Sequence, residues 1–405
     1  MSFYVQKYGG SSVADPEKLC NVARRIVKTA EDGHQVVAVV SAMGDMTDEL
    51  IELSREVSAS HPKREMDLLM STGETISSAL LAMAITDMGH EAVALTAHQM
   101  GIKTNVAHTK ARILNIEGRR IWDELDENRI VVAAGFQGVT NDRDITTLGR
   151  GGSDTTAVAL AAVLEADECE IYSDVEGVFT ADPRIVEDAH KIDRINYEEM
   201  LELASLGTGV MQARAVEFGW KYNVDIHVRS TFTETSGTLI TQSGEDTMEE
   251  VNVRAVTVDL DQTRISVMDV PDQPGVAGSI FGELADRNIN VDMIIQSSAA
   301  RENRENDISF TVSQSDYDEA RDSIERLMDE MGGKGVTSDN QIAKVSVVGT
   351  GMRNHPGVAK KLFNTLGQSG INIEMISTSE IKVSVVVNKD DADEAINLLH
   401  EAFDL

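Results

Sequence analysis

The sequence predicts an α/β protein in which a three-layer sandwich around a mostly parallel sheet is followed by two copies of a smaller unit. Three observations predict it. Short β-branched runs alternate with amphipathic helical patterns through the first half, a polar stretch interrupts the pattern near residue 240, and the second half repeats itself. Alternation of this kind implies parallel strands with helices on both faces, and such sheets take ligands at the carboxyl ends of their strands.

Val36 to Ser41, Ala92 to Thr96, Ile130 to Ala134, Cys169 to Ser173 and Val224 to Val228 read as buried strands. Helical patterns over Pro16 to Ala30, Asp67 to Met88 and Asp154 to Leu164 lie between them. Thr235 to Glu250 is polar, with Ser236-Gly237 and Ser243-Gly244, so the first domain takes residues 1–242. Beyond it Pro274-Gly275-Val276-Ala277 recurs as Pro356-Gly357-Val358-Ala359, and Ile289-Asn290-Val291-Asp292-Met293-Ile294 as Ile371-Asn372-Ile373-Glu374-Met375-Ile376. Both offsets are 82 residues, so the spacing within each copy is kept without a gap. Each copy reads strand, Pro-Gly turn, helix, strand, strand, helix, the order of a ferredoxin-like βαββαβ unit. The first copy spans 262–336. The second ends in the helix Asp391 to Phe403 and lacks a last strand; the strand Val253 to Leu260 is expected to complete it, giving 250–261 with 337–405.

A chain of 405 residues is too long for one ordinary core. With 41% hydrophobic but only 4% aromatic residues, its cores must be built from Ala, Val, Ile, Leu and the 17 Met. Lys and Arg number 36 against 68 Asp and Glu, a net charge of −32, which argues against nucleic acid and anionic membranes as partners. An anionic small-molecule substrate would need the few positive groups concentrated locally. Cys20 and Cys169 are isolated and form neither a disulfide framework nor a metal motif, as suits a reducing cytoplasm. The N-terminus enters a strand-like run directly, and no apolar stretch approaches the length that spans a bilayer. None of the nine His sits in a triad-like or metal-spaced cluster.

Three stretches carry chemistry. Lys7-Tyr8-Gly9-Gly10-Ser11-Ser12 falls where the first strand ends and a helix begins. Adjacent glycines let backbone N–H groups approach an anion, the helix N-terminus adds partial positive charge, and Lys7 supplies a full one. Taken alone it would serve equally as a plain turn, and it lacks P-loop spacing. Leu148-Gly149-Arg150-Gly151-Gly152-Ser153-Asp154-Thr155-Thr156 is more specific, joining a glycine-rich backbone, an arginine fork for carboxylates and a Ser-Asp pair at a helix start. An isolated Ser-Asp would read as an N-cap; Arg150 and the matching Lys7 loop point to function instead. Tyr172 through Arg184 is polar and turn-rich after a buried strand, the setting of a nucleotide edge.

Together with Ser41-Ala42-Met43-Gly44-Asp45-Met46-Thr47, Gly73-Glu74 and Ala134-Gly135-Phe136-Gln137-Gly138, these stretches make the chain resemble, over its whole length, the aspartokinases of the amino-acid kinase family. The repeats look like the tandem ACT domains of the same enzymes. The resemblance implies phosphoryl transfer from ATP, carried with Mg2+ and no protein-held metal, to the β-carboxylate of L-aspartate. It implies that Lys7, Gly9, Gly10 and Ser11 hold the transferring phosphoryl group, with Gly151 and Gly152 also facing ATP. Ser41, Thr47, Glu74 and Arg150 would hold aspartate, with Arg150 on its α-carboxylate and Glu74 near its amino group. Asp154 would organise Lys7, while Ser173, Asp174, Asp182 and Arg184 would line the ATP side. A carboxylate nucleophile is already ionised at neutral pH, so a site of Lys, Arg, backbone N–H and Mg2+, without a catalytic His or Cys, fits the reaction.

The same resemblance implies feedback inhibition by lysine, threonine or both. The candidate pocket is Asp272, Gly275, Val276 and Ala277 with Asp292 and Gln296, facing Met352, His355, Gly357 and Val358. A homo-oligomer formed through the ACT domains is implied as well. In some relatives the regulatory half is also made separately from an internal start, and Met248 stands just past the domain boundary. One departure concerns charge. Many members carry Gly-Ala-Lys or Gly-Ser-Lys where this chain reads Gly207-Thr208-Gly209, which leaves Lys221, Arg214, or Mg2+ with Arg184, to take that role. A different amino-acid kinase and a non-catalytic amino-acid sensor are the competing readings.

Overall fold

The computed structural model describes residues 2–206, 210–242, 252–271, 273–287, 289–298, 305–331, 335–350, 352 and 355–405. Gly207-Thr208-Gly209, Met248 and Asp272 lie outside the described residues. The chain divides into two compact units, the first comprising Met1–Phe179, Lys191–Ser205 and Gly209–Met248 and the second Thr180–His190, Leu206–Thr208 and Glu249–Leu405.

In the first unit the strands are β1 (Phe3–Tyr8), β2 (Gln35–Val40), β3 (Ala92–Leu95), β4 (Ile102–Thr104), β5 (Ile113–Ile116), β6 (Ile130–Ala134), β7 (Gln137–Val139), β8 (Ile145–Thr147), β9 (Glu168–Ser173), β10 (Arg194–Asn196), β11 (Ile226–Ser230) and β12 (Thr238–Thr241). Its helices are α1 (Pro16–Glu31), α2 (Met46–Val57), α3 (Lys63–Asp87), α4 (Ala97–Met100), α5 (Arg119–Asp126), α6 (Gly152–Val163), α7 (Tyr197–Ser205) and α8 (Ala213–Tyr222). Eight strands form the main sheet in the order β10-β12-β11-β9-β1-β2-β6-β3. It is parallel from β11 to β3, and β12 turns antiparallel against β11. Right-handed crossovers put α1 and α3 on one face and α5, α6 and α8 on the other. The core follows from composition: β6 is Ile-Val-Val-Ala-Ala with every residue buried, and each such Val contributes about 1.5–3 kcal/mol by leaving water.

α1 begins where Asp15 caps the Lys18 N–H at 2.8 Å with Pro16 in the first turn, and it buries the stripe Leu19, Val22, Ala23, Ile26 and Val27. α3 corrects the sequence reading twice. It starts at Lys63, a turn before the expected Asp67, and by length and composition it could cross a membrane. Half of its most apolar stretch is buried within the unit, and α1, β3 and β6 pack against it. β11 begins two residues later than expected, because Asn223 closes α8 in the left-handed region and the Val224 N–H still bonds to Gly219. A second, four-stranded sheet, β5-β4-β7-β8, was not foreseen; its strands are three or four residues long, too short for a period to show.

The second unit contains β13 (Asn252–Asp259), β14 (Thr263–Pro271), β15 (Ile294–Ser298), β16 (Glu305–Val312), β17 (Gly335–Asp339), β18 (Ile342–Thr350), β19 (Met375–Thr378) and β20 (Lys382–Asn388), with α9 (Val276–Asp286), α10 (Tyr317–Met331), α11 (Pro356–Gln368) and α12 (Ala392–Ala402). They form two antiparallel sheets, β15-β16-β14-β17 and β13-β18-β20-β19. β13, which precedes the first copy in sequence, pairs with β18 from Asn252 opposite Thr350 to Asp259 opposite Lys344. It holds in the second sheet the place that β17 holds in the first. The repeats share a small core of Met293, Ile342, Met375 and Val386.

Candidate active site

The carboxyl ends of β1, β2, β6 and β9 lie side by side, and backbone hydrogen bonds stitch their loops together. Gly9 donates to the Tyr172 carbonyl at 3.2 Å, Ser41 to Tyr8 at 3.1 Å, Gly44 to Gly10 at 3.1 Å and Gly135 to Val40 at 3.0 Å. The spacing leaves no room for a side chain at Gly10, where a Cβ would stand 2.9 Å from the Ala42 carbonyl. Four loops that are far apart in sequence thus act as one rigid floor.

Lys7 rises from this floor at the end of β1. Its Nζ lies 2.6 Å from Asp154 Oδ1, and both side chains are about nine-tenths buried, at 11% and 10% exposed. Asp154 stands in the first turn of α6, behind Gly151 and Gly152, so the ion pair sits beside a helix N-terminus whose amides favour anions. Gly9 is buried against Lys7 Nζ, while Gly10 and Ser11 continue the loop outward. Arg150 is exposed in the turn ahead of α6 and has no ion pair among the described residues.

Glu74 comes from α3. Gly73 lets that helix close on the loop after β2, for a Cβ there would meet the Ala42 methyl at 2.8 Å. Glu74 Oε1 accepts from the Ala42 N–H at 3.2 Å, and Oε2 is buried without a partner among the described residues. Burial pushes its carboxyl up to about 7, against smaller opposing effects from backbone N–H groups. A buried carboxylate oxygen with no partner is poised for a cation. Ser41 follows β2 and Thr47 lies in the first turn of α2, both half-buried.

Asp67 is a further carboxylate of this region, outside the candidate set that the sequence motifs supply. It is fully buried on α3 and accepts from His108 Nδ1 at 2.7 Å, from the Thr109 N–H at 3.0 Å and from Thr147 Oγ1 at 2.5 Å. It therefore ties the 107–110 loop to the end of β8, three residues before Arg150. The signal is present in the sequence: Asp67, Ser71, Glu74 and Ser78 recur at helical spacing along α3, and all four are buried. Arg214 donates to the carbonyls of Leu148 and Ala111 at 2.9 and 3.0 Å, holding the same turn from α8, and burial lowers its pKa. Those donors serve the backbone. Lys221 lies over the Tyr222 ring at 5.1 Å.

Ser173 ends β9 and accepts from the Val175 N–H at 3.3 Å, and Asp174 beside it is exposed. Asp182 and Arg184 belong to Thr180–His190 and hence to the second unit, where Arg184 grips both oxygens of Asp182 and holds its carboxyl below the usual range. In that unit Gly275, at φ +100°, caps α9, with Val276 buried and Ala277 exposed behind it. Asp292 is paired with Lys344 of the other repeat, and Gln296 is exposed on β15. Met352 and Val358 are buried in the second repeat's core, His355 caps α11, and Gly357 is exposed in its first turn. Glu168, Glu170 and His227 also come together, which spacing in sequence could not show. Both His227 ring nitrogens are occupied, by Glu168 and the Ser236 carbonyl, while Glu170 accepts from Gln6 and Arg229. The cluster is closed on itself.

Residues 2–230 match the amino acid kinase family, and residues 265–327 and 345–403 match the ACT domain. An aspartokinase of Mycolicibacterium smegmatis is 48% identical over 407 residues, covering 100% of this chain and 97% of its own length. An aspartate kinase of Stutzerimonas stutzeri is 48% identical over 405 residues, covering 100% and 98%. The crystal structure of E. coli aspartokinase III in complex with aspartate and ADP superposes with a TM-score of 0.82 at 24% identity, over 99% of each chain, and shares the fold. Matched over more than half its length by the family and end to end by such relatives, the chain belongs to the amino acid kinase family, among its aspartokinases.

Proposed function

We propose that the chain phosphorylates aspartate with ATP. The observation that carries this reading is the pairing of two features on one loop floor: a buried Lys7–Asp154 pair beside a helix N-terminus, and a buried Glu74 with an unpartnered oxygen. The first suits a phosphoryl group and the second an ammonium group, which together describe an amino acid receiving phosphate. Arg150, which has no ion pair among the described residues, takes the α-carboxylate, and Ser41 and Thr47 complete the aspartate side. Gly9, Gly10, Ser11, Gly151 and Gly152 offer backbone N–H groups to the phosphates, with Ser173 and Asp174 on the nucleotide side.

A β-carboxylate oxygen attacks the γ-phosphorus of ATP, the bond from that phosphorus to the β,γ-bridging oxygen breaks, and ADP leaves with the bond's electron pair. The product is 4-phospho-L-aspartate, and no proton moves. Lys7 and the loop amides stabilise the negative charge on the phosphoryl oxygens, and Asp154 keeps the Lys7 ammonium aimed at them. Asp174 is exposed and unpaired among the described residues, a donor set that suits Mg2+ held chiefly by the nucleotide. When bound, Mg2+ would neutralise phosphate charge.

The catalytic half covers residues 1–242, and the repeats at 262–336 and at 250–261 with 337–405 sense lysine, threonine or both, placing the chain in cytoplasmic amino-acid biosynthesis. Each repeat ends its sheet in an edge strand, β15 or β19, that is paired on one side only among the described residues and on which Ile294 and Ile376 are 54% and 46% exposed at corresponding positions. Such edges favour pairing with a second copy, which supports a homo-oligomer. The deciding experiment traps the acyl phosphate with hydroxylamine. Aspartyl hydroxamate that requires ATP and Mg2+ and disappears in Lys7→Ala supports the reading; its absence from folded wild-type protein rejects it.

A further inference from the structure

On the opposite face of the main sheet from Asp154, α1 and the segment after β11 enclose a cavity of about 360 Å³. Lys18, Arg24, Arg25 and Lys28 line it, with Thr231 and Phe232 as the far wall. Against these four cations the lining offers one carboxylate, Glu234. In a chain of net charge −32, such a concentration of positive charge is anomalous. It also carries a small cost where it stands, because Lys28 falls three and four residues after Arg25 and Arg24 on one helix, the spacings at which like charges repel. Among the described residues little offsets that repulsion. Lys18 is 3.9 Å from Asp15, a weak exposed contact, and among the described residues Arg24 bonds to the neutral Asn21 and has no ion pair. Lys28 has no ion pair among the described residues.

The cavity is also built. Arg25 donates to the carbonyls of Thr231 and Thr233 at 3.2 and 3.5 Å and lies 4.9 Å over the Tyr172 ring, which fixes helix to wall. Ser12 and Thr231 close the floor through a 2.6 Å hydroxyl contact. Phe232 is 52% exposed, an apolar surface of the kind that covers one side of a ligand.

We propose that this cavity binds a small phosphorylated anion, separately from the phosphoryl-transfer site. A net local charge near +3 matches a di- or triphosphate group, and the concave shape selects a small molecule over a polymer that the rest of the acidic surface repels. Because Ser12 lies in the turn that continues the Lys7 loop, an occupant would touch the back of that loop and shift the KM for ATP.

The test uses inorganic tripolyphosphate with the full chain, without Mg2+ and at low salt, followed by calorimetry. Wild type, Lys7→Ala and Arg24→Ala/Lys28→Ala are compared, the latter two positions being exposed and remote from the core. Lys7→Ala is expected to keep one site, and the double variant to bind at that site at least tenfold more weakly, with Lys28→Glu giving the same loss should the double variant not fold. No binding by wild type, no site left in Lys7→Ala, or wild-type affinity and stoichiometry in the cavity variants would each overturn the assignment.

Discussion

Each unit holds a buried lysine paired with an aspartate, and the two pairs are arranged in opposite senses. Lys7 and Asp154 are buried alike, the lysine on a floor of glycine-rich loops and the aspartate fixed in a helix turn. Lys344 is only 2% exposed whereas Asp292 is 37% exposed, and Asp259 stands 3.5 Å behind the same ammonium. The first arrangement presents a cation to an anion arriving among backbone amides. The second hides its cation and turns a neutralised carboxylate outward. Identical chemistry therefore does different work according to which partner is covered.

The largest effect is expected where both partners are buried. Lys7→Ala leaves Asp154 an uncompensated charge and removes the only full positive charge on the loop, so hydroxamate formation should fall by about 10²–10³ or more and stability by about 3–5 kcal/mol in urea titrations. Normal turnover by that variant would break the comparison at its strongest point.

Glu74 sharpens it through pH. The folded carboxyl titrates near 7 and the unfolded one near 4.5, so between these values the folded state holds a proton that the unfolded chain has lost. Stability should thus decline as pH rises from about 4.5 to 7, by up to about 3 kcal/mol, and Glu74→Gln should flatten that decline. Affinity for aspartate runs the other way, improving as the carboxylate forms. In Glu74→Gln the KM for aspartate should rise about tenfold or more and lose its dependence on pH near 7.

Asp67→Asn tests positioning at a distance. It keeps volume but gives up charge under three donors, so a loss of about 2 kcal/mol in stability is expected. A drop of about tenfold in kcat/KM, through slack in the Thr147-to-Arg150 segment, should accompany it, with the larger part in the KM for aspartate. Equal stability loss with unchanged KM would make Asp67 purely structural.

Smallest in turnover is Lys344→Met. Its partner Asp292 can be hydrated once released, so the basal rate of hydroxamate formation should stay within about twofold and stability should change by about 1–3 kcal/mol. The response to lysine and threonine is where this variant should differ from wild type.

Several parts of this molecule are readable in the sequence alone. The parallel strands announced themselves as β-branched runs, and the two repeats by a shared offset, because both signals are local and periodic. The ends of α3 and β11 shifted by a few residues, since caps and turns decide ends and periodicity does not. The role of Asp67 and the short strands β4, β5, β7 and β8 are not legible in the sequence, because each depends on partners 40 or more residues away or on runs too short to show a period.

By itself the sequence determined which residue types exist to do the chemistry: one lysine before two glycines, an arginine before a helix, a carboxylate on an apolar helix. Only the tertiary structure decided that Lys7 meets Asp154 across 147 residues of chain, that one oxygen of Glu74 has no partner among the described residues, and that four cations of α1 face one cavity. Burial and partnership depend on what the fold brings near, and local order along the chain carries no record of the dielectric or the neighbours that a folded group will have.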